Sequence, residues 1–251
     1  KRFIANPVIS YAEPNYYAFP VSTTPNDPNF NSLWGQHNTG QTGGTVDADI
    51  DAVEAWTDFT GTTKSIVAVI DSGIEYTHPD LAGNMWSNPG EIPGNGIDDD
   101  NNGWIDDVHG YDFADGDANI IDDAAAMNSC NGCAGGHGSH VAGTIGAIGN
   151  NGVGVAGVNW DVSLMGLKIF PTAGGGAPWS AINGAVNYVT LMRQTYDVNI
   201  TAINASYGGP SFSQSAKDSI AAVNAAGVVF VAAAGNGGWD LVGDDNDVLP
   251  M

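Results

Sequence analysis

The stretch SIVAVID, residues 65–71, decides the fold class. An uninterrupted apolar run that ends in an aspartate is typical of a strand buried on both faces of a parallel sheet. Similar runs recur later in the chain, and helical patterns separate them. The later strand-like runs are VSLMGLKIF (162–170), NITAINASYG (199–208) and VVFVAAAGN (228–236), and the helical patterns are HVAGTIGAI (140–148), WSAINGAVNYVTLMRQ (179–194) and SQSAKDSIAAVNAAG (213–227). This alternation predicts an α/β protein with a mostly parallel sheet and helices on both faces.

Two segments before the second strand have a different character. DIDAVEAW (49–56) predicts a helix start capped by Asp49 or Asp51, with Ile50, Val53 and Trp56 on one face. Residues 87–131 are polar, acidic and rich in glycine, and they are too long for an ordinary connection. We therefore expect an insertion that other interactions hold down.

The charge composition limits the partners of the protein. Twenty-eight acidic residues against six basic ones give a net charge of −22. Nucleic-acid binding needs clustered lysine and arginine, so we expect no nucleic-acid partner. No run of about 18 apolar residues is present, so we expect no membrane span. The acidic excess suits divalent cations.

Chemically useful side chains follow the predicted strands. Asp71 and Asn236 lie at carboxyl ends of strands, where functional residues gather in parallel sheets. His137 opens a helix after two glycines. Each has an ordinary structural alternative: a helix-capping aspartate, a structural histidine or a turn-forming asparagine. Taken with His140, the residues Cys130, Cys133 and His137 also have a spacing that a zinc site could use.

Four motifs, in chain order, favour functional roles for these residues over the structural alternatives. VIDSGIEYTHPDL (69–81), HGSHVAGT (137–144), NASYGG (204–209) and VAAAGN (231–236) closely resemble the subtilisin-like serine peptidases, the subtilase family. The resemblance extends from about Asp27 to the last residue and implies a three-layer subtilisin-like fold. It implies that Asp71 orients His137, that His137 is the general base, and that Asn236 donates a hydrogen bond to the oxyanion.

The resemblance also implies where protein or peptide substrates bind. One edge segment pairs with an extended substrate, a glycine-rich segment forms the opposite edge, and small residues wall the pocket for the residue before the scissile bond. The alternative for the glycine-containing stretches is an ordinary flexible loop. The pairing segment is Ser206, Tyr207 and Gly208, the glycine-rich edge is Gly174, Gly175 and Gly176, and the pocket wall is Ala233, Ala234 and Gly235.

One expected motif is absent from the sequence. No Gly-Thr-Ser-Met-Ala-like block, which carries the nucleophile of the family, occurs before Met251. Residues 21–251 therefore resemble the N-terminal two-thirds of a catalytic domain, incomplete at the C-terminus, and we expect this segment alone to be inactive. The alternative is a calcium-stabilised pseudo-peptidase or binding domain that uses the fold without catalysis.

The N-terminal residues have a family interpretation of their own. NPVISYAEPN (6–15) resembles the final strand of a subtilase propeptide, so residues 1–20 are expected to be the end of an intramolecular inhibitor. Cleavage would fall within or just after residues 16–24. The alternative is an ordinary N-terminal strand of the domain. We expect a secreted, extracellular, monomeric endopeptidase.

The motif DDDNNGWIDD (98–107) predicts a calcium loop. Side-chain oxygens fall at positions 1, 3 and 5 of an EF-hand-like pattern, with glycine at position 6. Position 12 is His109 instead of glutamate, so Asp107, or failing that Asp106, is expected to complete the site. The alternative is a solvated acidic loop. The predicted ligands are Asp98, Asp100, Asn102, the carbonyl of Trp104, and Asp107.

The family resemblance implies a second calcium site and weakens the zinc hypothesis. The second site combines Asp80 and Asn151 with the carbonyls of Val153 and Val155, and its alternative is a plain glycine-rich turn. Because the resemblance assigns His137 to catalysis, we expect His140 to pack into the domain instead of binding zinc. We favour a disulfide between Cys130 and Cys133 over free thiols.

Overall fold

A parallel sheet forms the centre of the computed structural model, which describes residues 23–122, 136–209 and 212–235. Its five strands are β1 Gly61–Asp71, β2 Gly110–Asp112, β3 Asp161–Lys168, β4 Ile200–Ala205 and β5 Val229–Ala232. They pair in the order β2-β3-β1-β4-β5, and every pairing between them is parallel. The predicted α/β class and parallel sheet are confirmed within these residues.

Helices cover both faces of this sheet and complete a three-layer arrangement. On one face, Ala142 of the helix that begins at His137 packs with Val69 and Leu164. On the other face, the buried side chains of the helix that begins at Trp179 pack with Ile70 and Leu167. Successive residues of β1 point to opposite faces of the sheet. Because helices cover both faces, its apolar run is continuous. The helices are α1 Ala52–Ala55, α2 His137–Gly146, α3 Trp179–Gln194 and α4 Gln214–Ala225, with 3₁₀ turns at Phe30–Ser32 and Ala82–Asn84.

The first helix is shorter than its sequence pattern predicts. Asp51 adopts a left-handed conformation, with φ of 55°, so the helix begins only at Ala52. Val53 and Trp56 are buried as predicted, but Ile50 precedes the helix and is 57% exposed, so its placement on the buried face is wrong. Neither aspartate caps the helix as predicted. The Asp51 side chain makes no capping hydrogen bond, and Asp49 accepts hydrogen bonds from the backbone nitrogens of Asn38 and Asp51.

The described part of the acidic insertion, residues 87–122, is attached to the sheet and to α3. Its strand β2, which the sequence pattern did not predict, pairs with β3. The Trp104 ring packs edge-on against Tyr188 with ring centres 4.8 Å apart, and Tyr196 donates its hydroxyl to the carbonyl of Asn101. Within the described residues, no helix combines the length and apolarity of a membrane span.

Candidate active site

The carboxyl end of β1 brings Asp71 and His137 together. Asp71 is 1% exposed, and its Oδ1 lies 2.7 Å from Nδ1 of His137 and 2.7 Å from the backbone nitrogen of Ser72. Burial raises the pKa of the Asp71 carboxyl, and the hydrogen bond to His137 opposes that rise. The His137 side chain is 45% exposed, so a reactant can reach the ring while the carboxylate stays out of water.

Glycine permits this close approach. The helix that carries His137 begins after Gly136, whose φ of 88° suits glycine. A Cβ added to Gly138 would lie 2.1 Å from the carbonyl oxygen of Gly73 and 3.1 Å from Cβ of Asp71. Only a residue without a side chain therefore lets the first turn of α2 lie directly on the end of β1.

The side of α2 that faces the domain is made of small residues. Gly138, Ala142 and Gly146 are buried and recur every four residues, which places them on one face of the helix. His140 lies off this face and is exposed. The expectation that His140 packs into the domain is therefore wrong, because the helix packs so closely that small side chains take the buried face.

A polar network that the sequence analysis missed surrounds the start of α2. Asp122 accepts hydrogen bonds from the Ser72 hydroxyl and from both the backbone nitrogen and hydroxyl of Ser139. Ser72 in turn accepts from the backbone nitrogen of Gly138, and Ser139 accepts from that of Glu75. Ser72 and Ser139 are thus fully engaged in structural hydrogen bonds.

The predicted substrate segments follow the carboxyl ends of three strands. Ser206, Tyr207 and Gly208 come directly after β4, and the Asn204 amide donates to the Ser206 hydroxyl over 2.9 Å. Because the strands are parallel, these segments lie at the same edge of the sheet as Asp71. Their role as a substrate cleft stays a prediction. The other two segments are Gly174, Gly175 and Gly176, beyond β3, and the exposed Ala233, Ala234 and Gly235, beyond β5.

Several predicted functional residues lie outside the described residues. Asn236, the predicted oxyanion donor, is among them, and so are Cys130 and Cys133, the predicted disulfide. The predicted propeptide segment, residues 1–20, also lies there.

A buried lysine next to Asp71 was not anticipated. Lys168 pairs with Asp71 in the register of β1 and β3, and it is 0% exposed. Its Nζ lies 2.5 Å from Oδ2 of Asp112 and donates to the Thr172 hydroxyl over 3.0 Å. The bond to Thr172 links Lys168 to the segment that leads from β3 to the predicted glycine-rich edge.

Three carboxylates meet in the insertion. Ligand oxygens of Glu91, Asp100 and Asp107 all lie within 4.8 Å of one another, an arrangement that could hold a metal ion. Asp107 is fully buried and accepts hydrogen bonds from the amides of Asn88 and Asn102 and from the Tyr188 hydroxyl. Burial raises its pKa to about 6.

This cluster overlaps the predicted calcium loop but does not coincide with it. Asp100 and Asp107 belong to both, whereas the carboxylate of Asp98 accepts from the backbone nitrogens of Asn102 and Gly103. The second-choice ligand Asp106 binds the backbone of Asn95 and Gly96. Glu91 was missed because it precedes the motif, and only the fold brings it close.

The second predicted calcium site is also brought together in part. The Asn151 amide donates to Asp80 over 2.8 Å, and the backbone nitrogen of Val155 donates to Asp80 over 2.9 Å. The backbone nitrogen of Val153 donates to Asn151. Asp27, which was missed, is buried and accepts from the backbone of Asn151 as well.

Comparisons with known proteins agree with this geometry. A family model described as the subtilase family, peptidase S8, matches residues 62–249. The chain is 35% identical over 176 residues to subtilisin-like protease 1 of Plasmodium berghei (strain Anka), covering 70% of this chain and 26% of that protein. It is 30% identical over 234 residues to a thermophilic serine proteinase of Bacillus sp. (strain AK1), covering 93% and 45%.

A solved structure gives the same result. The fold superimposes on proteases from Pseudoalteromonas arctica with a TM-score of 0.61 and 29% identity, covering 85% of this chain and 60% of that one. The chain therefore spans less than two thirds of the length of each of these relatives.

Proposed function

This chain belongs to the subtilase family, and on that basis we propose that the protein is a serine endopeptidase. Asp71 orients His137, which takes a proton from a serine hydroxyl as that oxygen attacks the peptide carbonyl. The same ring later returns the proton to the leaving amine. Asn236 donates to the oxyanion of the tetrahedral intermediate.

The contact between Asp71 and His137 carries this proposal. One ring nitrogen of His137 is held 2.7 Å from a buried carboxylate, so the other is the one available to a reactant. As the ring gains a proton, the buried carboxylate of Asp71 stabilises the positive charge from the Nδ1 side of the ring. An exposed histidine without such a partner would lack both orientation and stabilisation.

The nucleophile is proposed to lie in a further segment of the full protein. Ser72, Ser139 and Ser206 each match another family position. Their hydroxyls also take part in the hydrogen bonds described above, which supports leaving them out of this role.

The substrate is proposed to be an extended polypeptide. Its backbone would pair with Ser206, Tyr207 and Gly208 on one side and with Gly174 to Gly176 on the other. Ala233, Ala234 and Gly235 would wall an apolar pocket. We further propose that the protein is secreted and monomeric, with residues 1–20 as the end of an inhibitory propeptide.

Calcium is the proposed cofactor, and the donor chemistry of the insertion fits it. Calcium prefers carboxylate and carbonyl oxygens, and Glu91, Asp100 and Asp107 offer three carboxylates at close range. Within the described residues, no lysine or arginine forms an ion pair with any of them. Asp98, Asn102 and Trp104 stay predictions for the same site, and Asp80, Asn151, Val153 and Val155 stay predictions for a second one.

A pair of variants tests the catalytic proposal in the full protein with its serine. His137→Ala should remove measurable peptide cleavage, because no other group can take up the proton. His140→Ala is the matched control: its side chain is exposed, so it should keep both activity and thermal stability. Normal cleavage by the folded His137 variant would overturn the proposal.

A further inference from the structure

The helix that carries His137 cannot cap its own N-terminus. The first backbone nitrogens of a helix need acceptors from outside it, and the N-cap residue Gly136 has no side chain to offer. The nitrogen of Gly138 instead donates to the Ser72 hydroxyl over 2.9 Å. The nitrogen of Ser139 donates to Asp122 over 2.8 Å.

Asp122 connects the neighbours of both catalytic candidates. Its Oδ1 accepts from the hydroxyl of Ser72, the residue after Asp71, over 3.0 Å. Its Oδ2 accepts from the nitrogen and hydroxyl of Ser139, two residues after His137. The Asp122 carboxylate therefore links the end of β1 to the start of α2, as the hydrogen bond between Asp71 and His137 also does. It lies at the N-terminus of the helix, where a negative charge is favourable.

The backbone before Asp122 is itself held tightly. Ile120 is buried, and its carbonyl accepts from the backbone nitrogen of Ile74 over 2.8 Å. A Cβ on Gly73 would lie 2.6 Å from the carbonyl oxygen of Ile120 and 2.8 Å from that of Ile121. The strand that ends in Asp71 therefore fixes the position from which Asp122 reaches the helix.

We infer that Asp122 is a positioning residue for the general base. It acts through Ser72 and Ser139, and it keeps the first turn of α2 where His137 stays within hydrogen-bond reach of Asp71. The predicted effect on catalysis rests on the proposed function. The predicted effect on the hydrogen bond between Asp71 and His137 does not.

Kinetics of the full protein with its serine test the catalytic effect. Asp122→Ala leaves the Ser139 nitrogen and the Ser72 hydroxyl without their acceptor, so the helix start shifts. We expect kcat to fall by about 10- to 100-fold, because misplacement by about 1 Å has effects of this size, while KM changes by less than about twofold. Asp122→Asn keeps an acceptor for Ser139 but presents an amide to Ser72, so its loss should be smaller.

Ala142→Gly is the matched control. It weakens the same helix one turn further on, at a buried position that makes no contact with Asp122 among the described hydrogen bonds. It should lower stability and leave kcat unchanged below its melting temperature. If it reduced kcat as much as Asp122→Ala does, the effect would be one of helix stability, and the inference would be wrong.

A spectroscopic measurement separates the inference from the proposed function. The Nδ1 proton of His137, followed by NMR in the full protein labelled at histidine, reports the bond to Asp71 whether or not the enzyme turns over. We expect this resonance to weaken or disappear in Asp122→Ala and to persist in Ala142→Gly.

The outcomes are distinct. Retention of both the resonance and kcat in Asp122→Ala overturns the inference. Inactivity of the wild-type protein overturns the proposed function, and the resonance then still decides the role of Asp122. If Asp122→Ala does not fold, Asp122→Asn, which keeps an acceptor for Ser139, gives the same test with a smaller expected loss.

Discussion

Asp71 and Asp107 are almost equally withdrawn from water, with exposed fractions of 1% and 0%, but their carboxylates meet different neighbours. Asp71 lies against His137, a base that can carry a positive charge. Asp107 is surrounded by the neutral donors Asn88, Asn102 and Tyr188, with two further carboxylates close by. Burial raises the pKa of both groups.

The difference indicates two ways to keep a carboxylate inside a protein. The ionisable partner of Asp71 belongs to the chain and binds its Oδ1, whereas Oδ2 is buried without a hydrogen-bond partner among the described residues. The partner of Asp107 among the described residues is only a set of dipoles, and a cation from solution would be needed to balance its charge. The pair of Asp71 and His137 should therefore respond to mutation, and the insertion to ions and pH.

The largest expected effect separates the two aspartates by activity. In the full protein with its serine, Asp71→Asn should lower kcat by about ten-thousand-fold, because the amide holds the imidazole in the wrong tautomer. Asp107→Asn, assayed in saturating calcium, should change kcat by less than about tenfold. Steady-state kinetics on peptide substrates measure both, and comparable losses would erase the proposed distinction.

The second effect concerns the packing of helix α2 against the end of β1, next to Asp71 and His137. Gly138→Ala should lower the free energy of unfolding by about 3 kcal/mol, since the new methyl group would overlap the carbonyl of Gly73. Gly143→Ala, in the same helix with nothing within 4 Å of an added Cβ, should raise it by about 0.5–1 kcal/mol. Urea unfolding gives both values. A stable Gly138 variant would show that the helix has room to move.

The third effect tests the insertion. Calcium at a hundredfold excess over Kd should stabilise the protein by about 2.7 kcal/mol, because it binds only the folded state. Glu91→Gln should weaken this response, as measured by melting curves with calcium and with chelator. Asp98→Asn is the discriminating variant: if it removes the response while Glu91→Gln keeps it, the sequence motif describes the site better than the cluster.

The smallest expected effect is a dependence of the free energy of unfolding on pH. The folded-state pKa of Asp107 is raised to about 6, above its ordinary value of about 3.9, so the folded state binds this proton more tightly. In chelator, stability should therefore fall as pH rises from about 4 to about 6. Asp107→Asn should reduce this slope, and the difference between the two unfolding curves isolates Asp107 from other carboxylates. Parallel curves would contradict the burial of an uncompensated charge.

Prediction from sequence succeeded where information is local. The apolar run before Asp71 and the periodicity of residues 179–194 directly reflect burial, so the strand and helix α3 were both found. It failed where the fold unites distant residues. Glu91 joins Asp107, and Asp122 joins Ser139, through contacts that no spacing rule describes. His140 was misplaced because only packing density reveals that small residues take the buried face of α2.

The strand order has a consequence for the time course of synthesis. The central strand β1 ends at Asp71, but its neighbours β3 and β4 begin only at Asp161 and Ile200. At about 5–20 residues per second, the apolar edges of β1 wait about 5–20 s for their first parallel partner to be translated. Such non-local pairing makes folding slow. On the ribosome, the strand that ends in Asp71 is therefore an exposed, aggregation-prone segment until residues far downstream have emerged.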